Sequence, residues 1–491
     1  MPSLSKLFAH YDPNGYYCEL LGSPNAQKSH LPGRGPRTDE IARRLDKMNL
    51  KTLRRRALSA EKELFNLGIT FTVYSENQSV DRILPFDVLP RILTPQDWSV
   101  IERGVRQRLR VLNMFLHDIY HDQRIIKDKI IPAELVLANA NFRPEMVGVD
   151  VACDTYVHIC GIDIVRDAAG RFKVLEDNTR VPSGVSYVIE NRHLMLRAFP
   201  DLFEGVGVRP VSDYGLRLHR ALSEAAPARH GGGEVSIVLM SPGIYNSAYF
   251  EHVFLAREMG VPLVEGRDLV VDDDTVFMKT ANGLERVDVI YRRIGDDFID
   301  PEVFNPASML GVPGLMRAYR AGRVTLANAV GTGVADDKAV YAYMPRMIRY
   351  YLDEDPILDN VHTHICREAE GLAYTLDHID ELVVKPVGEA GGYGVLIGPN
   401  ASKAEIAQRR AELKADPANY IAQPVIDLSV CPTLCDGGIE PRHVDLRPFA
   451  VTGKDTWVLP GGLTRVALTK GSLIVNSSQG GGSKDTWVLE Q

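Results

Sequence analysis

The side chains best suited to chemistry fall within one short stretch. Asp163 lies in the run Gly161-Ile-Asp-Ile-Val-Arg166. Glu176, Asp177, Asn178 and Arg180 follow at the end of the apolar run Phe172-Lys-Val-Leu175. A tight turn over residues 167–170 makes the two runs a hairpin. Strand alternation sends Glu176 and Asn178 to one side and Asp177 to the other, and a strand-paired Asp163 can face the first side. Carboxylate and amide oxygens are hard donors. Mg²⁺ takes such oxygens at short range and usually shares them with phosphate oxygens. The same residues also suit a hairpin that simply ends in surface charge.

Residues 381–397 read as strand, glycine loop, strand, with Gly388, Gly391, Gly392 and Gly394 in the loop. Lys385 emerges from the apolar run Leu382-Val-Val384, where an ammonium without a partner is costly. A phosphate would supply that partner. No Gly-Lys-Ser/Thr sequence is present, so this is not a P-loop. Asp336-Asp337-Lys338 opens a helix and offers a second phosphate lysine, or simply an exposed helix-start lysine. Gln423 interrupts the apolar run Tyr420-Ile-Ala-Gln-Pro-Val-Ile426, which suits a strand presenting backbone groups to a base and equally a core strand. Asp445 and Arg447 share one strand face, and an arginine there can stabilise charge in a transfer step.

The elements that must position these residues form an α/β pattern. The 491 residues can bury more than one core, with 45% hydrophobic and 24% charged residues. Thr94-Pro95-Gln96-Asp97 starts a helix well, and Val105, Leu109, Leu112, Phe115, Leu116 and Ile119 recur at helical spacing. After a Gly-rich break at residues 225–233, Val235-Ser-Ile-Val-Leu-Met240 and the following helix and strands read as a small Rossmann-like unit. That unit lacks Gly-x-Gly-x-x-Gly, so no dinucleotide is assigned. Near the C-terminus Lys-Asp-Thr-Trp-Val-Leu occurs twice, starting at Lys454 and at Lys484, and the copies suit paired strands of a duplicated hairpin. The glycine-rich stretch between Asn476 and Ser483 suits an anion-wrapping loop or a loose terminus.

A net charge of −8 argues against a nucleic-acid partner. No apolar run approaches a membrane span, and Met1-Pro-Ser-Leu-Ser-Lys-Leu-Phe lacks a signal-peptide core. Six cysteines in a chain this long read as free thiols. A reducing cytoplasm is expected. Oligomeric state is open, and a homo-oligomer is compatible with the composition.

Taken in this order, the motifs resemble the ATP-grasp superfamily, in its circularly permuted, glutathionylspermidine-synthase-like branch. Leu175-Glu-Asp-Asn-Thr-Arg180 with Pro182-Ser-Gly-Val-Ser186 comes first, and Val384-Lys-Pro with its glycine loop comes later. That is the permuted order. The resemblance runs from about residue 71 to the end of the chain. It implies an α/β (α+β) ATP-grasp fold with an inserted Rossmann-like domain and a partly helical N-terminal region. The units would be a largely helical 1–140, metal-binding strands in 141–205, the Rossmann-like unit in 206–330, the lysine and glycine-loop lobe in 331–430, and closing strands in 431–491. It further implies ATP with Mg²⁺ on Asp163, Glu176 and Asn178, and Lys338 and Lys385 on the phosphates and adenine. Residues 388–394 would close over ATP, and Gln423 would lie on the adenine strand. Arg447 would match the arginine that stabilises the acyl phosphate, and Arg180 and Lys484 are further candidates for that role. Ser183 and Ser186 fall where such synthases contact a peptide substrate. The implied activity is ATP-dependent joining of a small-molecule or peptide carboxylate to an amine. A phosphotransferase and a non-catalytic nucleotide-binding protein are the alternatives. No amidase domain with its own nucleophile accompanies these motifs.

Overall fold

The computed structural model describes residues 6–22, 36–75, 78–227, 233–388, 394–476 and 480–491, with backbone alone for 70–75 and 78–83. The expected hairpin forms from strands Ile159–Arg166 and Phe172–Asn178. Asp163 lies opposite Glu176, and a bulge follows at Ile164. The turn closes by an N–H of Gly170 donating to the Asp167 carbonyl at 2.8 Å, with Gly170 at φ +75°. Asp177 turns to the back of the sheet, as alternation requires. There the guanidinium of Arg108 donates to both its oxygens at 2.9 and 2.7 Å. Arg108 rides on the long helix Pro95–Tyr120. That helix opens with Thr94 and Asp97 in a reciprocal capping box and Pro95 in its first turn. Its buried face of Trp98, Ile101, Val105, Leu109, Leu112, Phe115 and Ile119 belongs to the largest core.

The hairpin sits in a wide mixed sheet. From one edge its main path runs Asp359–Asn360, Phe172–Asn178, Ile159–Arg166, Gly438–Arg447, Leu463–Val466, Gly482–Val488 and Phe86–Leu93. The last strand lies in the region expected to be largely helical. Pro90 lies within it, and Pro is tolerated on an edge or at a bulge: this edge strand pairs across an irregularity between Lys484 and Thr486. The two copies of Lys-Asp-Thr-Trp-Val-Leu do not pair with each other. Thr456–Val458 pairs locally with Phe449–Thr452, whereas Gly482–Val488 lies between Leu463–Val466 and Phe86–Leu93. Their surroundings differ accordingly: Trp487 is fully buried and Trp457 only half-buried.

A second sheet, antiparallel, orders as His364–Ile365, Tyr420–Pro424, Leu382–Pro386 and Leu396–Ile397. A third is wholly parallel, with Thr325–Ala327, Val289–Arg292, Ile237–Met240 and Leu263–Val264 side by side. Its helix Tyr249–Met259 ends at Gly260 with φ +70°, as the glycine suggests. The chain leaves the two central strands toward opposite sides, which opens a crevice at their carboxyl ends. A three-stranded antiparallel meander over Leu269–Asp272, Thr275–Thr280 and Gly283–Arg286 is inserted here. The molecule is thus mixed α/β. All six cysteines are free. Among the described residues no helix is long and apolar enough to cross a membrane.

Candidate functional site

The hairpin of Asp163 and Glu176 and the lysine sheet face one another across a cavity of about 210 Å³. Asp163, Glu176, Lys338, Lys385 and Gln423 all line it. Most of its remaining wall is apolar and includes Val165, Leu175, Val383, Ile397, Ile426 and Leu428, with Asp445, Arg465 and Asn476 completing it. That is a slot for a flat apolar ring with charged groups at one end. Lys385 reaches out of its strand and donates to Oε1 of Gln423 at 2.7 Å, and Gln423 donates in turn to Thr363 at 2.9 Å. Gln423 thus holds a lysine by its side chain. Lys338 opens a helix capped by the Asp337 carboxylate, and its ammonium lies 3.8 Å from Oε2 of Glu176. It is not an exposed helix-start residue.

A second chamber of about 510 Å³ adjoins the first, and Glu176, Arg465 and Asn476 line both. Asn178, Arg180, Ser183 and Arg447 open onto it. Arg447 donates to both oxygens of Asp163 at 2.5 and 2.8 Å and to the Ser183 carbonyl at 3.4 Å. Arg465, opposite Asp445 in the strand ladder, donates to Asp445 and, at 2.6 Å, to Asp163. Arg180 donates through Nε to Asp336 at 2.6 Å, and its side chain is 39% exposed, so the rest of its guanidinium edge faces the chamber. Gly388 lines a small 40 Å³ recess together with Asn178 and Lys338. Gly394 has φ +68°, a left-handed position that suits glycine. Gly391 and Gly392 lie outside the described residues.

The electrostatics follow from this crowding. Burial works against ionising Asp163, but Arg447 and Arg465 outweigh it and hold the carboxyl well below the usual carboxylate range. Glu176 moves the other way. Burial and the adjacent Asp163 charge both raise it. Burial, aided by the neighbouring Lys338 ammonium and opposed by Glu176 and Asp163, lowers Lys385 to about 8.

Two expected residues sit elsewhere. Lys484 is fully buried: its ammonium pairs with Asp87 and donates to the carbonyls of Leu89 and Pro432. A lysine locked under a sheet edge cannot meet a reacting group, so its place in the site is corrected to a structural one. Ser186 is also buried, its hydroxyl and N–H donating to Oε2 of Glu251 at 2.8 and 3.1 Å. Ser183 remains at the chamber wall. Arg293 donates to its hydroxyl at 2.7 Å and, at 3.0 Å, to Glu251. Glu251 and Arg293 thereby fix the loop that carries Ser183, and the sequence held no sign of it. Asp336 opens the Asp336-Asp337-Lys338 run but had no role assigned, and Arg465 was not singled out. The signal for Arg465 was its strand position facing Asp445.

The donor set can be tested against Mg²⁺. Among the described residues no group of three or more His, Cys, Asp or Glu side chains is arranged to hold a metal ion alone. The oxygens of Glu176 face cations only at 3.6 and 3.8 Å, and the buried amide nitrogen of Asn178 has no hydrogen-bond partner. Both side chains border the cavity, and Glu176 is penalised as an anion beside Asp163. A dication would relieve that penalty. The set fits Mg²⁺ held jointly with phosphate oxygens, through Glu176 and Asn178 with Asp163 behind them.

Comparison with known proteins agrees with this architecture. The family described as circularly permuted ATP-grasp type 2 matches residues 90–467. An uncharacterized protein of Synechocystis sp. is 53% identical, covering 98% of both chains. A Frankia alni protein bearing the name "Putative glutamate--cysteine ligase 2-3" is 42% identical, and the match spans 98% of this chain but 54% of that protein. Among solved structures, a glutathione synthetase-like effector from Globodera pallida in its apo form superposes with a TM-score of 0.58 at 10% identity, over 90% of this chain and 98% of that one. That likeness is one of fold. The chain belongs to the circularly permuted ATP-grasp type 2 family.

Proposed function

We propose that the protein is an ATP-dependent, ADP-forming carboxylate–amine ligase that works through an acyl phosphate. The observation behind this reading is the meeting of two lysines from the second half of the chain with Glu176 and Asp163 from the first half around one slot. That slot opens directly into a larger chamber walled by Arg180 and Arg447. Family membership and the ligase name of the Frankia relative support it.

In this reading the adenine lies among Val383, Ile397, Ile426 and Leu428, and Lys385 and Lys338 bind phosphate oxygens. Glu176 and Asn178 would hold Mg²⁺, which when bound neutralises phosphate charge. An acid in the second chamber is oriented by the free edge of Arg180 and by Arg447. Its carboxylate oxygen attacks the γ-phosphorus, the bond to the β-phosphate oxygen breaks, and ADP leaves. The amine then attacks the acyl carbon, phosphate departs, and the amine loses a proton to give the amide. Orientation and charge neutralisation supply most of the rate. Arg447 is pinned by Asp163 and touches the Ser183 carbonyl, so its charge is held at the chamber floor before any substrate arrives.

The test is an ADP-release screen over mixed acids and amines, with mass analysis of products and acid labelled with ¹⁸O in its carboxylate. Equal amounts of amide, ADP and phosphate, with one label atom in the phosphate, are expected. A phosphorylated product without an amide would mean a phosphotransferase. Binding of ATP with no turnover on any pair would mean a non-catalytic protein.

A further inference from the structure

The second chamber reaches beyond the ATP-grasp strands. Ala248, Glu251, Gly295, Asp296 and Asp297 form part of its wall. They follow Ile237–Met240 and Val289–Arg292, the central strands of the parallel sheet, on the carboxyl side. That is the switch-point crevice where open parallel sheets take their ligands. The loops that supply Ala248 and Asp297, and the neighbouring segment 308–312, also carry exposed apolar side chains. Of seventeen large hydrophobic side chains exposed among the described residues, Met309 at 90% and Tyr245 at 84% are the most exposed, and Ile244, Phe298 and Leu310 join them here.

The backbone ties these five together. A Cβ on Gly243 would lie 3.2 Å from the Glu265 side chain. One on Gly266 would meet the Leu310 carbonyl, and one on Gly311 the Phe298 carbonyl. The Ser308 hydroxyl donates to the Phe298 carbonyl at 2.8 Å, and the Val312 N–H to Ile299 at 2.9 Å. Segments 243–245, 265–266, 298–299 and 308–312 are therefore neighbours in the fold. Asp297, beside Phe298, lines the chamber and pairs with Arg143 at 2.7 Å. Apolar side chains carried by loops beside a charged binding chamber suit a ligand long enough to reach both.

We propose that one substrate of the ligation is amphiphilic. Its charged reacting end enters the chamber near Arg180 and Arg447, and an apolar arm lies out over Tyr245, Phe298 and Met309. This rests on the ligase reading and adds the substrate's chemical class. A wholly hydrophilic acid, or a polyamine, would leave those side chains in water.

Calorimetry in the presence of MgATP tests it with N-octanoylglycine against N-acetylglycine, and octylamine against spermidine. At least one amphiphile is expected to bind about tenfold or more tightly than its short or hydrophilic counterpart. The double variant Tyr245→Ser, Met309→Ser should erase that difference while MgATP affinity stays as in the parent protein. Equal affinity within both pairs, binding of none of the four, or an undiminished preference in the double variant would overturn the proposal. Failure of the ligase reading looks different: MgATP itself would not bind, or would bind with no ADP release in any mixture.

Discussion

Glu176 stands where both chambers meet, between the Lys338 ammonium and the Asp163 carboxylate, and three expectations follow at the scale of single residues. Glu176→Gln removes an oxygen anion that burial and Asp163 already disfavour, so the melting temperature should not fall. Its ADP release should drop by roughly 100-fold or more, as for other groups that stabilise transferred charge. Unchanged turnover would take Glu176 out of the mechanism. Burial lowers Lys385 to about 8. Phosphates favour its ammonium, so MgATP affinity should be level below that pH and weaken about tenfold per unit above it. Lys385→Arg should flatten the profile, and calorimetry between pH 7 and 10 reads both. Lys484 belongs to stability instead. Lys484→Met leaves Asp87 buried without its cation and should cost about 3–5 kcal/mol in denaturant unfolding, with MgATP binding retained by the folded protein.

At the scale of elements, helix Pro95–Tyr120 is the back wall that holds the strand Phe172–Asn178 through Arg108 and Asp177. Its Gly104 lets Leu358 approach: a Cβ there would sit 2.4 Å from Cγ of Leu358. Alanine would gain about 1 kcal/mol of helix propensity. The clash with a side chain close to its own backbone is the larger effect, and Gly104→Ala should destabilise by about 1–3 kcal/mol in chemical denaturation. Elements with local grammar were readable before the structure. Thr94 and Asp97 announced this helix, and period-two alternation separated Glu176 from Asp177. Tertiary choices were not readable. The Asp163–Arg465 contact joins residues 302 apart, and the Glu251–Arg293 pair joins two residues that look like ordinary α/β surface positions. Neither partner alters the local pattern of its own strand or helix. The tail repeat misled for the same reason, because identical hexapeptides settle against different neighbours.

At the scale of the whole molecule, one sheet joins an early strand to the last, with Phe86–Leu93 parallel to Gly482–Val488. The permuted order is thereby compatible with a complete cleft: carboxylates early in the chain fold against lysines late in it. The most direct test is a crystal structure of the protein with Mg²⁺ and a non-hydrolysable ATP analogue. The base is expected among Val383, Ile397, Ile426 and Leu428, with the phosphates between Lys338 and Lys385 on one side and Glu176 and Asn178 on the other. A nucleotide bound elsewhere, or phosphates that touch neither the lysines nor Glu176, would contradict the account.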